Sequence, residues 1–521
     1  MQKNISLKVL PSEAANENLV KQYIASAEAV SLSAITGIII QKQSIDARGK
    51  QVWINLSVTA FINEPFRQRE LMKFNFKDVK NANKRVIIVG AGPAGLFASL
   101  YLIEKGIKPI ILERGKDVRA RRRDLALLNK EGEVNPESNY CFGEGGAGTY
   151  SDGKLYTRST KRGDINRILN LFVHFGAEEN ILYEAHPHIG TNKLPQIITA
   201  MRKTIIDCGA EFHFEKKVVD LVKDNDKIVE VVTADGSAFN ANAVILATGH
   251  SARDIFQLLN AKKILIESKP FALGVRVEHP QSLIDNVQYH CAVRSEFLPP
   301  ASYNWVQQVD GKGVFSFCMC PGGIIAPAAT SPGELVVNGW SPSKRNNPFA
   351  NSGIVVTVEE KDMQPFKKYG PLAAMHFQRS IEEKAFGAGG GKFVAPAQRL
   401  VDFTNNKLSS SLPGCSYLPG IHSSLLKNVL PGFIHQSLQQ AFKEYGKRMK
   451  GYLTNDAIVV ATESRTSSPV RIPRNPATLQ HLQIENLYPC GEGAGYAGGI
   501  VSAAMDGERV AKQIAASFAC S

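Results

Sequence analysis

The segment Gly90-Ala91-Gly92-Pro93-Ala94-Gly95 has the residue types and the spacing of a loop that binds a dinucleotide. Its first glycine permits a tight turn, Gly92 lets the backbone approach a pyrophosphate, and its last glycine lets a helix pack closely against a strand. The positive end of the helix dipole then stabilises the diphosphate. Glu113, followed by Arg114, lies about 20 residues further on, where a carboxylate accepts hydrogen bonds from ribose hydroxyls. The alternative, a chance glycine-rich turn, is disfavoured by the elements on either side.

Those elements form a predicted βαβ unit over residues 84–113. Arg85 to Val89 predicts a short buried strand of the kind found in parallel sheets, and Leu96 to Lys105 predicts a helix that Gly106 ends. Pro109 to Leu112 begins a second strand. A phosphate-binding loop between a strand and a helix is the context that the glycine pattern requires.

Further glycine-rich segments accompany this unit. Gly143 to Leu155 is too ordered in composition to be a linker. Residues 243–249 predict another buried strand and a turn. Leu487 to Gly495 precedes a helix that begins near Ile500, so the dinucleotide-type pattern returns late in the chain.

These segments resemble the two-dinucleotide-binding-domain flavoproteins, in which a late G-[DE] motif binds the ribityl and pyrophosphate part of FAD. The resemblance implies that FAD is the cofactor and that Glu492 contacts its ribityl or phosphate region, directly or through water. It also implies that the N-terminus of the last helix faces the pyrimidine edge of the flavin, and that small residues of the 143–155 loop lie against the isoalloxazine. The predicted cofactor contacts are Gly90, Gly92, Pro93, Ala94, Gly95, Glu113, Arg114, Gly145, Gly146, Ala147, Gly148, Ser151, Lys154, Val218, Ala247, Thr248, Gly249, Gly491, Glu492, Gly499 and Ile500.

The chain also resembles a widespread bacterial family of uncharacterised FAD-dependent dehydrogenases that has plastid relatives. The resemblance runs from about residue 84 to the end, includes the N-terminal module, and implies FAD without naming a substrate. Glu492 stands where many flavoproteins have Asp, and its longer side chain can require a water bridge. The matching segments are Gly90 to Gly95, Gly143 to Leu155, Cys320 to Gly323, Asn338-Gly339, Glu463 to Arg471 and Gly491 to Gly499.

Three sites are candidates for catalysis or substrate binding. Lys154 is expected near the flavin, and the alternative is a solvated lysine. Cys320 could act as a redox thiol, although a buried free cysteine behaves as a small hydrophobe. Arg465 with Ser467 and Ser468 combines a guanidinium with hydroxyl donors, which suits a carboxylate or phosphate of the substrate. A turn stabilised by Ser and Thr side chains is the alternative for this segment.

The remaining cysteines and histidines predict neither a metal site nor a disulfide framework. The 8 cysteines include no C-x-x-C pair, and the spacing of Cys318 and Cys320 allows no easy ring closure, so we interpret them as mostly reduced and structural. His250, His422 and His435 have no legible partner and are interpreted as structural.

Composition and charge limit the class of protein. A chain of 521 residues with 44% hydrophobic content can bury a large core, in about two to four domains. No run of about 18 uncharged apolar residues and no secretory signal is visible, so we expect a cytoplasmic protein without a membrane span. The net charge of +13 attracts anions without identifying one. Arg119 to Arg123 lacks interleaved aromatics and is interpreted as a solvated helix face, with nucleic-acid binding as the alternative.

Together these features predict an α/β protein. Residues 84–258 and 484–521 form a discontinuous Rossmann-type FAD-binding domain, and residues 259–483 form an inserted, mixed α+β substrate domain. Residues 1–80 form a small N-terminal α+β module of βαββ order.

The predicted function is that of an FAD-dependent oxidoreductase that transfers a hydride or electrons between noncovalent FAD and a small-molecule substrate. No second G-x-G-x-x-G follows a strand, so NAD(P)H as electron donor would dock transiently in the active-site cleft. Two alternatives stay open. One is a flavin-dependent RNA-modifying or RNA-binding protein, and the other is a non-catalytic partner protein stabilised by flavin.

Overall fold

The computed structural model describes residues 1–157 and 163–520. Its N-terminal module contains β1 (Gln2–Val9), α1 (Pro11–Ala14), α2 (Glu17–Glu28), β2 (Ile35–Asp46) and β3 (Trp53–Ile62). The strands form an antiparallel sheet in the order β1-β3-β2. Helix α2 begins where the Asn16 side chain accepts hydrogen bonds from two backbone N–H groups of the first turn. The expected α+β module of βαββ order is confirmed.

The next segment alternates strands and helices, as a βαβ fold requires. It contains β4 (Arg85–Val89), α3 (Pro93–Glu104), β5 (Lys108–Leu112), α4 (Val118–Glu131), α5 (Ile165–His174), α6 (Leu194–Asp207), β6 (Glu211–His213), β7 (Val218–Asp224), β8 (Lys227–Thr233), β9 (Ala238–Phe239), β10 (Ala243–Leu246) and α7 (Arg253–Ala261). Helix α3 begins at Pro93, earlier than the predicted Leu96, because proline is well accommodated in a first helical turn.

A second domain follows, built on a large sheet. It contains β11 (Glu267–Ser268), β12 (Phe271–Pro280), α8 (Gln281–Tyr289), β13 (Val306–Val309), β14 (Lys312–Cys320), β15 (Ile324–Pro327), β16 (Val337–Trp340), β17 (Phe349–Val358), α9 (Ala373–Ala388), β18 (Ala395–Arg399), α10 (Leu400–Thr404), β19 (Ile421–Ser423), α11 (Gly432–Arg448), β20 (Ile458–Glu463) and β21 (Val470–Arg471). Seven strands form one sheet in the order β13-β14-β17-β12-β20-β18-β19, in which only β18 and β19 pair in parallel.

The chain then returns to the first sheet with β22 (Leu487–Pro489) and α12 (Ile500–Cys520). Strand β22 pairs in parallel with β10 and completes a five-stranded parallel sheet in the order β22-β10-β4-β5-β6. Gly507 allows helix α12 to pack closely on α3. A Cβ atom at this position would lie only 2.1 Å from the carbonyl oxygen of Ala94. The predicted discontinuous Rossmann-type domain is therefore present.

The domain boundaries proposed at 80, 258 and 483 remain predictions. Helix α7 spans the proposed start of the inserted domain, and the large sheet lies between Phe271 and Glu463. In the part of the chain that the structure describes, no helix combines the length and apolar character that a membrane span requires.

Candidate functional site

A cavity of about 360 Å³ lies between the parallel sheet and the second domain. It opens at the carboxyl ends of β4, β5 and β10, where α/β sheets bind their ligands. The second domain contributes Phe317, Cys318, Asn338, Arg465 and Thr466 to its wall. Of the predicted cofactor contacts, those that line the cavity are Gly90, Gly92, Pro93, Ala94, Glu113, Arg114, Gly146, Ala147, Gly148, Ser151, Lys154, Val218, Ala247, Thr248, Gly249, Glu492, Gly499 and Ile500.

Among the predicted cofactor contacts, Gly95, Gly145 and Gly491 do not line the cavity, and their contact with the cofactor stays a prediction. A side chain at Gly95 would overlap the carbonyl oxygen of Gly90, which explains the glycine by packing between helix and turn. Gly145 and Gly491 adopt left-handed backbone conformations, with φ of +77° and +72°. The N–H of Gly491 donates to Asp506 Oδ2 at 2.8 Å, and this hydrogen bond fixes the loop before α12 to the helix itself.

Gly92 occupies the most open position of the β4–α3 turn. It is the N-cap residue of α3, and the nearest atom to a Cβ placed there is Gly146 Cα at 3.9 Å, an ordinary contact distance. A small side chain would therefore fit against the protein, while a larger one would extend into the cavity. This is the position where a phosphate can approach the backbone and the positive end of the helix.

The Glu113 carboxylate joins three segments of the cleft. Its Oε1 accepts hydrogen bonds from the N–H groups of Gly115 and Gly143, both at 2.9 Å, and its Oε2 accepts from Ala91 N–H at 2.9 Å. A carboxylate offers about four acceptor sites, so one site remains on Oε2 for a ribose hydroxyl. Glu113 thus positions the glycine-rich loops in addition to its predicted role as a ribose ligand.

Arg121 shapes the loop at residues 143–149, a role that the sequence did not reveal. This fully buried guanidinium donates to the carbonyl oxygens of Asn139, Tyr140, Glu144 and Gly146 at 2.8–2.9 Å. The signal in the sequence is its helical spacing from Val118, Leu125 and Leu128, which places one arginine of the basic run on the buried face of α4. Its neighbours Arg119, Arg122 and Arg123 are exposed, as expected of a solvated face.

Polar groups border the cavity beyond β10. The hydroxyl oxygen of Thr248 is buried and has no hydrogen-bond partner within the described residues. His250 Nδ1 lies 3.5 Å from Glu492 Oε2, so this histidine, interpreted from the sequence as structural, faces a carboxylate at the cavity wall. The N-terminal end of α12 reaches the cavity through Gly499 and Ile500. A buried hydroxyl without a partner is typical of a site that a ligand completes.

Lys154 faces the second domain across the cavity. Its ammonium nitrogen donates to the carbonyl oxygen of Met319 and lies 3.7 Å from Asp152 Oδ2. Burial alone would lower the pKa of Lys154, but the adjacent cysteines and Asp152 raise it to about 12. The side chain therefore carries a positive charge on the cavity wall at neutral pH.

Arg465 does not have the free guanidinium expected of a substrate anchor. Its NH2 lies 3.0 Å from Glu334 Oε2 and 3.1 Å from Glu382 Oε2, and its NH1 donates to Thr330 at 2.7 Å. Arg253 of α7 contacts the same two carboxylates at 3.0 and 2.8 Å. The charge of Arg465 is thus already balanced inside a buried network that joins the two domains, which argues against its predicted role as a substrate anchor.

The serines after Arg465 and the thiol of Cys320 lie outside the cavity lining. Ser468 is buried and donates to the carbonyl oxygens of Val470 and Gly493, which supports the alternative of a side-chain-stabilised turn. Neither Ser467 nor Ser468 lines the cavity, and neither does the fully buried Cys320. Cys318, two residues earlier on β14, lines the cavity, because the strand has a bulge between Phe317 and Cys320.

Three family models match separate parts of the chain. The model described as FAD-dependent protein, C-terminal domain-like, matches residues 270–466, and an FAD binding domain matches residues 83–127. A domain of unknown function matches residues 1–61.

A protein of Clostridium beijerinckii, named only as an uncharacterized protein, is 39% identical over 96% of both chains. The chain belongs to this protein's family of FAD-dependent oxidoreductases. The expected resemblance and the expected cofactor, FAD, are thereby confirmed.

More distant similarities of this FAD-dependent oxidoreductase cover less sequence or are weaker. A thiamine thiazole synthase of Archaeoglobus fulgidus is 27% identical over 36% of this chain and 64% of its own. A solved structure of 2,6-dihydroxypyridine-3-hydroxylase from Arthrobacter nicotinovorans covers 84% of each chain with 11% identity and a TM-score of 0.36.

Proposed function

We propose that this FAD-dependent oxidoreductase transfers a hydride or an electron pair between noncovalently bound FAD and a small molecule held against the second domain. The observation that carries the proposal is the continuity of the cavity. It extends from the dinucleotide turn at Gly92 to the second-domain residues Phe317, Asn338 and Thr466. A site that only stored FAD would not need a wall from another domain at its far end.

The residues present fit FAD. Gly92 leaves space at the start of α3, Oε2 of Glu113 retains an acceptor site, and the Thr248 hydroxyl lacks a partner within the described residues. These groups would hold the diphosphate, a ribose and a further polar part of the cofactor. When bound, FAD supplies two-electron chemistry, while the chain supplies orientation and electrostatics. The α12 N-terminus would stabilise negative charge beside it.

The second-domain wall would orient the substrate. Phe317 offers an apolar surface, and Lys154 offers a positive charge on the facing wall. Because 37% of the Lys154 side chain is exposed whereas only 4% of the Arg465 side chain is, Lys154 replaces Arg465 as the group that would favour an anionic substrate. NADH or NADPH would act as a transient occupant of this same space.

The test compares two equal substitutions on β14. Phe317→Trp adds volume inside the cavity, whereas Phe315→Trp adds it on the same strand outside the cavity lining. Both variants should retain FAD that acid precipitation releases into the supernatant. Only Phe317→Trp should slow the anaerobic reduction of the flavin by NADH or NADPH, by about tenfold or more, as measured by loss of visible flavin absorbance.

Two results would contradict the proposal. Equal reduction rates in wild type and Phe317→Trp would show that the second-domain wall does not contact the reacting molecule. Bound FAD that no screened donor reduces would favour the alternative of a non-catalytic, flavin-stabilised protein.

A further inference from the structure

Two cysteines of β14 come close together at the end of the cavity. Cys318 Sγ lies 3.9 Å from Cys320 Sγ, and Cys318 lines the cavity while Cys320 lies directly behind it. The sequence spacing of Cys318 and Cys320 alone predicts no easy ring closure. The structure changes this conclusion, because the β14–β17 register shifts between Phe317 and Cys320 and Cys318 has a φ of +46°.

This backbone conformation is uncommon for a residue other than glycine. A left-handed φ at a non-glycine residue is sparsely populated, and such residues cluster at functional sites. Here the strand bend turns two side chains toward one another that a regular strand would hold further apart. The Sγ–Sγ distance of 3.9 Å exceeds the about 2.0 Å of a disulfide, so formation of the bond requires the two side chains to move toward one another.

Two cations stand beside the sulfur pair. Lys154 Nζ lies 3.8 Å from Cys318 Sγ and 3.9 Å from Cys320 Sγ, and Arg276 NH2 lies 3.6 Å from Cys320 Sγ. The Cys320 thiol, together with Lys154 and Arg276, lowers the pKa of Cys318 well below its usual value, although burial opposes this. Burial and the neighbouring Cys318 raise the pKa of Cys320. These directions favour Cys318, which faces the cavity, over Cys320 as the thiolate of the pair.

We propose that Cys318 and Cys320 form a redox-active dithiol that exchanges an electron pair with the bound flavin. The proposal rests on the proposed function and adds a second redox centre to the same site. In the oxidative direction, the Cys318 thiolate and the Cys320 thiol form an S–S bond and release two electrons and one proton. FAD held in the cavity would supply the two-electron acceptor for both electrons and the proton, and the reverse reaction would break the S–S bond and restore the Cys318 thiolate and the Cys320 thiol.

The test delivers electrons only through the flavin. Holoprotein is oxidised with diamide, freed of reagent, and photoreduced anaerobically with light and EDTA. Free thiols are then alkylated, and the mass of the peptide that contains residues 318 and 320 is measured by mass spectrometry. In wild type, diamide should form the disulfide, and about four electrons per FAD should be needed for complete bleaching, since a disulfide takes two. Both thiols should then alkylate.

Matched variants separate this reaction from other thiol chemistry. Cys318→Ser and Cys320→Ser should each need about two electrons per FAD. Cys141→Ser, which removes a cavity-lining thiol that contacts Ser251 and the Ala328 carbonyl, should keep the wild-type electron count. Gly92→Val, expected to lack FAD, should form the disulfide but fail to reduce it in light.

The possible failures are distinct. If the flavin bleaches while the peptide keeps its disulfide, or if diamide forms no disulfide, the dithiol proposal is overturned and the proposed function stands. If the protein holds no FAD, or if its flavin cannot be reduced, both proposals are overturned.

Discussion

Replacing Glu113 by glutamine would test whether one carboxylate holds the cofactor cleft together. The carboxylate accepts the N–H groups of Ala91, Gly115 and Gly143, which belong to three different loops. Glutamine keeps the shape but replaces one acceptor oxygen with an NH2 group. The side chain can keep its oxygen toward Gly115 and Gly143, so the NH2 group would face the N–H of Ala91.

The magnitude follows from these three bonds. Two would persist without a charged acceptor, each weaker by about 1 kcal/mol, and the unpaired Ala91 N–H would cost about 1–3 kcal/mol. The cleft loops should therefore lose about 3–5 kcal/mol of local stability. In amide hydrogen exchange of the FAD-free protein, that loss accelerates exchange at the three N–H groups by about a hundredfold to several thousandfold.

The matched control is Glu492→Gln, the same change on another wall of the same cavity. The Glu492 carboxylate lies 3.5 Å from His250 Nδ1 and is part-exposed, so its replacement should change exchange in the three loops little. Exchange at Ala91, Gly115 and Gly143 in Glu113→Gln within about fivefold of wild type would refute the reasoning.

Three further predictions address other parts of the structure. Gly92→Val should remain folded but lose FAD, because its Cβ has room whereas its methyl groups enter the cavity; FAD per protein after gel filtration measures this, and full retention would contradict it. Arg121→Met should lower stability by about 3–5 kcal/mol in denaturant unfolding, whereas the exposed Arg122→Met should change it by less than about 0.5 kcal/mol. Burial raises the pKa of Glu278 from 4.5 to about 7. Its ionisation is thus disfavoured in the folded state, and the penalty grows as pH rises from about 4.5 to 7. Glu278→Gln should therefore gain about 3 kcal/mol relative to wild type at pH 8 and only about 1 kcal/mol at pH 5, and an equal effect at both pH values would exclude this cause.

The FAD-binding half was predictable because its signals are local. The turn from Gly90 to Gly95 lies between a buried strand and a helix, and its glycines have a fixed spacing. All three features involve residues that are neighbours in the sequence, so they can be recognised without knowledge of tertiary contacts. The return of the chain at Leu487 was legible for the same reason. Both halves of the parallel sheet carry their own strand and loop pattern, although their pairing is remote in sequence.

The cavity wall from the second domain was less predictable because it depends on tertiary contacts. Arg465 reads as a free cation in the sequence, but Glu334 and Glu382, more than 80 residues earlier, balance its charge. The sequence around Cys318 predicts an ordinary strand. Its position at the cavity depends on a β-bulge that no glycine, proline or other turn residue within the bulge indicates. Arg121 could have been identified by its place on the buried face of α4.

The late arrival of β22 and α12 has a consequence for synthesis of the protein. Strand β22 begins almost 400 residues after β4, its neighbour but one in the parallel sheet. At about 5–20 residues per second, a ribosome needs roughly 20–80 s between the two strands. During that interval the nascent chain lacks Glu492 and the N-terminal end of α12, so the cofactor cradle is incomplete. Loading with FAD should therefore follow translation of residue 500, and a ribosome that stalls earlier should release a colourless chain.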